Sequence, residues 1–405
     1  MNVSILSIGN ELLNGFTLNS NSLWVGKTLT NLGCSISMQI TVKDEEKDII
    51  YGLDTLLKSK PKFIIITGGL GPTDDDITRQ VIFKYVGSDT KFDRGYWETL
   101  SERYLENGII ISESNKNQAI VPTTGSIIPN PIGSARGYMF SIQNTKLILL
   151  PGVPMEMESM MKNTVVPFIK KSIKKFLLIK TFRTTGFPET IIMEKVKRIL
   201  TSNHNSNIGY YPSLYGVDVR ISSYSRKNLD ELSEKVSIAL GDKIYSEGEK
   251  NIEEIIVQKL IEKKKTISIA ESCTGGLISH RVTEVPNSSK VLKGGQIVYS
   301  DDAKINNLGV DEKIIHSFGA VSSQTAASMA NRIKSLYLTD YGLSATGIAG
   351  PGGGSKKKAV GLVYIGLAFG DQTKVKKLKL GSERSKNKIR TSQHALNYLR
   401  TAIPI

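Results

Sequence analysis

Short runs that are apolar at nearly every position constrain this chain most. Residues 3–8 read VSILSI, 62–67 read KFIIIT and 146–150 read KLILL. A strand with one face in water alternates polar and apolar residues, whereas a run without alternation belongs to a strand covered on both faces. Helix-period stretches separate these runs. The first, at 19–32, has Leu23, Leu29 and Leu32 among its apolar positions and Gly33 as its stop. Others follow at 48–59, 74–86 and 96–107, and one more at 155–162 after a Pro-Gly turn, while 35–42 alternates as a strand. This order predicts an α/β fold for residues 1–170, a mostly parallel sheet with helices on both faces.

The basic stretch at 170–175 reads as the exit from that domain. Residues 175–249 give a strand at 177–184, a helix at 189–200, a hairpin at 208–223 turning near Tyr215 and Gly216, and a helix at 229–240. That predicts a small α+β domain. Residues 252–405 return to α/β order. They give a helix at 252–263, a strand at 267–270 entering a glycine-rich helix start at 272–276, and a strand at 296–299. A helix at 322–337 follows, then a strand at 343–346 entering a glycine loop, strands at 361–369 and 373–380, and a helix at 387–399. No internal repeat is visible, and 405 residues suit two to three domains.

Composition excludes several classes. No apolar run approaches the roughly 18 residues of a membrane-spanning helix, and residues 1–10 lack a basic region ahead of an apolar stretch, so neither a membrane anchor nor a secretory signal is expected. Two cysteines, Cys34 and Cys273, build no disulfide framework, which points to a reducing, cytoplasmic compartment. Four histidines and two cysteines argue against a structural zinc site. The net charge of +15 allows acidic partners. Part of it is local: residues 356–390 hold eleven basic and two acidic residues, either a solvated face or in part a phosphate contact.

Two constellations carry chemistry. Gly68-Gly69-Leu70-Gly71-Pro72-Thr73-Asp74-Asp75-Asp76 follows a buried strand. Glycines admit a phosphate close to main-chain N–H groups, and carboxylates beside them need a hard cation between. The motif therefore reads as a Mg²⁺-bridged pyrophosphate site, or else as aspartates capping the next helix. Gly26-Lys27-Thr28 is no P-loop, because it lies inside a helix, and G-x-G-x-x-G is absent. The second constellation is Ala270-Glu271-Ser272-Cys273-Thr274-Gly275-Gly276, where Ser272 is either a nucleophile beside main-chain donors or a helix cap. His280 is about two helical turns away, and His316 and His394 stand in no motif. Lys304, near Tyr299 and Ser300, can act as the base if burial lowers its pKa. Cys273 is a rival nucleophile without a histidine partner. The loop Thr346-Gly347-Ile348-Ala349-Gly350-Pro351 can present main-chain donors to a phosphate or an oxyanion.

IGNELLNG, TVKDE, TGGLGPTDDDITR, IPNPIGSARGY and LPGVPMEME together resemble the amino-terminal domain of the CinA family, which is similar to the molybdopterin-binding MoaB and MogA proteins. The resemblance implies cleavage of ADP-ribose to AMP and ribose 5-phosphate with a divalent metal, Mg²⁺. It puts Asp44 and Asp76 at the metal and Gly9, Asn10, Glu11, Gly68, Gly69 and Gly71 in the binding loops. Arg136 departs from the family, which more often has Pro there; it adds a phosphate contact or nothing.

AESCTGG, GGQIVYSDDAK, GAVSSQTA and TGIAGPGGG resemble the family's carboxy-terminal domain, also found alone as PncC, the nicotinamide-nucleotide amidase. This implies hydrolysis of nicotinamide mononucleotide to nicotinic acid mononucleotide and ammonia, without a cofactor. Ser272 would attack, Lys304 would take the proton, and Tyr299 and Thr274 would orient or donate. Gly275, Gly276, Ser300, Thr346, Gly347 and Gly350 would line the substrate, and Arg384 would hold its phosphate. Gly381-Ser382-Glu383-Arg384 carries an extra residue relative to the family's Gly-Asp-Arg, and Ala359 replaces the usual Pro. The middle segment resembles the KH-like module of the same family. Its loop, Gly186-Phe187-Pro188-Glu189, has lost the second glycine of the phosphate-clamping GXXG, so a linker role is expected over nucleic-acid binding. A homodimer and small nucleotide partners follow from the resemblance, with no membrane partner. Two other readings remain: a competence-associated accessory factor that binds nucleic acid, and a molybdopterin-binding, transferase-like protein.

Overall fold

The computed structural model describes residues 1–73, 75–173, 175–199 and 206–403. It divides into two compact units, Met1–Leu178 and Ile179–Ile405.

The first unit is built on a six-stranded sheet. Its order is Ser35–Val42, Asn2–Ile8, Phe63–Thr67, Thr145–Leu150, Gly137–Ile142, Ser126–Ile128. The first four strands are parallel and the last two antiparallel. The apolar runs occupy the centre, and every residue of Phe63–Thr67 is buried. Successive side chains of that strand serve opposite cores. Ile64 and Ile66 pack with Ile49 and Leu53 on one face, while Phe63 and Ile65 pack with Val25 and Met157 on the other. Covering both faces is why these strands carry no polar alternation.

Several expectations are corrected here. The sheet is mostly parallel as expected, but its two antiparallel strands at 126–128 and 137–142 are not among the expected elements, being short and bounded by glycine, proline and turns. Leu23 is exposed although its helix, Ser20–Asn31, forms as expected behind an Asn19 cap. The helix expected at 74–86 is Thr78–Tyr85, with Ile77 at its N-cap and no side-chain cap. The helix expected at 155–162 runs on from Pro154–Met160 through a wide turn at Met161–Val165 into Val166–Ser172. Lys170 and Lys171, expected at the exit from the domain, thus still sit in the helix's last turn, where cations are favoured. Asp74 and Leu200, part of the expected elements, lie outside the described residues.

In the second unit a four-stranded sheet, ordered Ser206–Pro212, Val217–Ser223, Leu178–Thr184, Ile244–Glu247, carries the helices Glu189–Lys197 and Arg226–Leu240. A five-stranded sheet follows, ordered Leu292–Ile297, Ile267–Glu271, Tyr341–Gly347, Leu362–Phe369, Gln372–Lys379. Its first three strands are parallel and the other two antiparallel. Ile252–Glu262, Leu277–Thr283 and Arg384–Ala402 contribute side chains to the core on one face, and Ser323–Tyr337 to the core on the other. The two sheets are docked through the last helix. Arg400 donates to the carbonyls of Asp242 (2.7 Å) and Ile244, and Gln393 donates to the Thr185 hydroxyl. Among the described residues no helix is long and apolar enough to cross a membrane.

Candidate functional sites

The first site lies at the carboxyl ends of the parallel strands, where a cavity of about 430 Å³ opens. Gly9, Glu11, Asp44, Gly68, Gly69, Gly71 and Asp76 all line it. Asn10 contributes its main-chain N–H to Asp44 at 2.8 Å. Gly68 is obligatory. Its φ is +107°, and a Cβ there would stand 2.1 Å from the Ile8 carbonyl oxygen. Yet its N–H is given to Leu150 at 3.2 Å, and that of Gly9 to Val42 at 3.1 Å. These two glycines therefore shape the cavity by close packing and do not offer donors to a phosphate.

Asp75 and Asp76 do not cap the helix, since they precede its N-cap at Ile77, which has no side-chain cap. Asp76 instead accepts from the main chain and hydroxyl of Thr73. Burial holds the Asp44 carboxyl above the usual carboxylate range. The neighbouring charges of Glu11, Asp75 and Asp76 push the same way, against the hydrogen bond from Asn10. A cation would relieve that crowding. Among the described residues no three His, Cys, Asp or Glu side chains are disposed to enclose an ion. Mg²⁺ is commonly held by one or two carboxylates completed by substrate phosphates, so Asp44 and Asp76 fit that ion better than an all-protein cage would.

Arg136 is buried and committed within the protein. It pairs with Asp93 at 2.6 Å, stacks 3.7 Å from the centre of the Tyr96 ring and donates to the Gln118 carbonyl. Sequence reasoning missed Asn21, Gln118 and Glu156, which also line the cavity. Burial raises the Glu156 pKa, although Asn130 donates to the carboxylate.

The second site surrounds the turn at 272–276. Ser272 is buried, its N–H held by Ala345 at 2.9 Å. Its carbonyl accepts from Gly275 N–H at 3.1 Å, so that donor is not free for an oxyanion. Gly275 and Gly276, at φ +58° and +91°, turn the chain into Leu277–Thr283, which starts five residues beyond Ser272. The nucleophile candidate is thus not the helix cap.

Behind it lies Glu271, a residue the sequence did not flag. Its buried carboxylate accepts from Ile278 N–H (3.0 Å), Ser279 N–H (2.8 Å) and the Ser279 hydroxyl (2.7 Å). Thr274 is wholly buried and its hydroxyl has no partner.

Lys304 is buried in the turn Ala303–Asn307. Its amine donates to the carbonyls of Tyr299 and Ser300, each at 3.2 Å. Burial depresses its pKa, opposed by Asp301 and by Cys273, the residue next to Ser272. No hydrogen bond joins Ser272 to Lys304 among the described residues. Burial also pushes the Cys273 thiol up to about 12, which leaves it protonated and a poor nucleophile. His280 and His316 are exposed beside Glu284 and Glu312.

Arg384 donates to the Tyr299 hydroxyl and to the Gly350 carbonyl at 3.1 Å, which brings three of the expected residues together. Tyr299 lies past the strand Leu292–Ile297 rather than within it. Others are committed elsewhere. The Thr346 hydroxyl donates to Ala320 at 2.7 Å, the Ser300 hydroxyl accepts from Ala303 N–H, and Gly347 pairs with Val363 in the sheet. Lys388, not anticipated, places its amine 3.5 Å from where a Gly275 Cβ would stand. It lies one helical turn after Arg384, the spacing that puts two side chains on one face.

The loop standing for GXXG lies against the last helix of the same unit. A Gly186 Cβ would be 3.7 Å from the Asn397 side chain, and Lys243 stacks on Phe187.

Comparison with known proteins finds three family matches in chain order. Residues 4–171 match "Probable molybdopterin binding domain", 179–246 "Damage-inducible protein CinA KH domain", and 249–403 "CinA C-terminal domain". A CinA-like protein of Dictyoglomus thermophilum is 38% identical over 409 residues, covering 100% of this chain and 99% of its own length. A CinA-like protein of Kosmotoga olearia is 37% identical over 409 residues, with coverages of 100% and 99%. Among solved structures, the competence/damage inducible protein CihA from Agrobacterium tumefaciens is 35% identical with a TM-score of 0.36. It covers 38% of this chain and 96% of its own. CinA from Thermoplasma acidophilum is 31% identical with a TM-score of 0.38, with coverages of 41% and 96%.

Proposed function

This chain belongs to the CinA family, and on that premise we propose that it is a two-site hydrolase of pyridine nucleotides. The second unit deamidates nicotinamide mononucleotide. The observation that carries this reading is the presence in one domain of a buried serine, Ser272, and a buried lysine of depressed pKa, Lys304, and among the described residues no histidine is hydrogen-bonded to either.

In that chemistry the Ser272 hydroxyl adds to the carboxamide carbon and its proton passes to the neutral Lys304 amine. The tetrahedral oxyanion is stabilised by main-chain N–H groups of the 272–276 turn other than those of Ser272 and Gly275, which are committed to Ala345 and Ser272. Collapse breaks the C–N bond, and Lys304 returns the proton to the departing ammonia. Water then opens the ester, with Lys304 again as base, and frees Ser272. Arg384 and Lys388, one face of one helix, suit the nucleotide phosphate.

The first unit hydrolyses the pyrophosphate of ADP-ribose. A divalent cation there would neutralise phosphate charge, and Asp44 and Asp76 would hold it. The glycine loops keep the cavity wall thin and close, and Glu11 and Asp75 add to the field that draws the cation in.

Ammonia release from nicotinamide mononucleotide and AMP release from ADP-ribose, measured on the full chain, test both activities. Ser272→Ala is expected to abolish the first and spare the second, and a chelator to do the reverse. Ammonia release at the wild-type rate by Ser272→Ala would remove the serine from the mechanism.

A further inference from the structure

The first cavity holds a polar group that the metal and phosphate chemistry leaves unused. Gln118 lies one residue before the end of the short helical turn Glu113–Ala119 and lines the cavity. It is 1% exposed, and neither end of its carboxamide, Oε1 or Nε2, has a hydrogen-bond partner. Turning the amide over changes nothing, since both ends are bare. Burying such a group without partners costs the desolvation of every unmet donor and acceptor. The main chain beneath it is fixed: Arg136, itself held by Asp93 and Tyr96, donates to the Gln118 carbonyl at 3.2 Å. The side chain is thus presented from a braced support. Across the same cavity Asn21 shows half of this pattern. Its Nδ2 donates to Gly152 at 2.7 Å while its buried Oδ1 has no partner.

A carboxamide offers one acceptor and one donor side by side. Its complement is a planar ligand with a donor beside an acceptor, which is the edge of adenine, an exocyclic amine next to a ring nitrogen. The cavity, at about 430 Å³, falls within the roughly 300–1,000 Å³ usual for small-ligand sites. We propose that Gln118 is the base-reading residue of the first site, pairing through both ends of its amide with the edge of an adenine nucleotide, and that Asn21 accepts a further hydrogen bond from the same ligand. This deepens the pyrophosphatase reading and rests on it for the choice of nucleotide.

The test is calorimetric titration of the full chain, with Mg²⁺ present, using AMP, the purine riboside monophosphate that lacks the 6-amino group, and ribose 5-phosphate. The wild type should bind AMP about tenfold or more tighter than the deamino analogue, the discrimination usual for a paired amide. In Gln118→Leu that ratio should fall close to one, with ribose 5-phosphate affinity unchanged. The unliganded variant should melt no lower than wild type, because an apolar isostere removes two unmet polar groups. Should Gln118→Leu fail to fold, Gln118→Glu keeps the shape but lacks the donor. It should weaken AMP binding while leaving ribose 5-phosphate alone.

A wild type indifferent to the 6-amino group, or a Gln118→Leu variant that keeps the full ratio, overturns the proposal. AMP release assayed in parallel separates the two ideas. An intact ratio lost in the variant but no ADP-ribose cleavage supports base reading and removes the activity. Cleavage with the ratio retained in the variant removes base reading alone.

Discussion

Replacing Glu271 by Gln should weaken the second unit and misplace the proposed nucleophile, Ser272, at once. The carboxylate is fully buried at the end of Ile267–Glu271 and accepts three hydrogen bonds, two from main-chain N–H groups of Leu277–Thr283 and one from the Ser279 hydroxyl. In the glutamine variant one oxygen becomes an NH₂. The least costly orientation keeps oxygen toward Ser279 and turns the NH₂ against the Ile278 N–H. Two buried donors, the Ile278 N–H and the new NH₂, are then unmet, at about 1–3 kcal/mol each, and two charge-assisted bonds become neutral ones of about half the strength. The sum is about 3–7 kcal/mol. With a urea slope of about 3 kcal/mol/M, the midpoint should fall by about 1–2 M.

The chain supplies its own control. Its two tryptophans, Trp24 and Trp97, both lie in the first unit, so indole fluorescence follows that unit while far-UV dichroism follows both. Glu271→Gln should shift the dichroism transition and leave the fluorescence transition in place. Ammonia release should fall well below the unfolding range, because the 272–276 turn is strung between this carboxylate and the helix it anchors. An unchanged dichroism midpoint with wild-type ammonia release would refute the argument.

Lys304 gives a sharper kinetic expectation. Its folded pKa is depressed, so the neutral base accumulates as pH rises through that value and ammonia release should reach its plateau below pH 10.5. Lys304→Met should lose about 10²–10⁴ of kcat, and Lys304→Arg should not restore it, since a guanidinium stays charged; an active arginine variant would exclude the base role. His394 predicts an acid effect. Burial first, then Lys376 and Arg390, lower its pKa from 6.5 to about 4. A lowered folded pKa contributes stability above the unfolded value that is lost as pH falls from 6.5 through about 4. At 1.36 kcal/mol for each pKa unit the contribution is about 3 kcal/mol. His394→Gln should therefore lose less stability than wild type between pH 7.5 and 4, read as urea midpoints by dichroism, and equal losses would remove the histidine from the account.

What the sequence made legible follows from where the physics is local. Phe63–Thr67 is apolar because both its faces are covered, and Ser35–Val42 alternates, so composition alone located both strands within a residue. The turn at Ser272 showed itself through its glycines. Other features depend on contacts remote in sequence. Glu271 looked like the polar end of a strand, since nothing local shows that a helix six residues on lends it its donors. Leu23 fitted the helical period but faces outward. The 68–76 motif reads as offering main-chain N–H groups to a phosphate because a glycine loop looks unpaired until the neighbouring strand, Thr145–Leu150, is placed beside Gly68. Gln118 carries no period at all and stands out only once its surroundings are known.

The closing helix Arg384–Ala402 works at both ends. Its first turns supply Arg384 and Lys388 around the serine turn, while Gln393 and Arg400 grip Thr185, Asp242 and Ile244 in the small domain. Trimming the protein down to its last domain would strand those two gripping side chains in water and loosen the rod that aims the basic pair. A free-standing version of this domain would need a resurfaced helix, and on the proposed function an excised fragment of this chain should hold nicotinamide mononucleotide less firmly than the intact protein does.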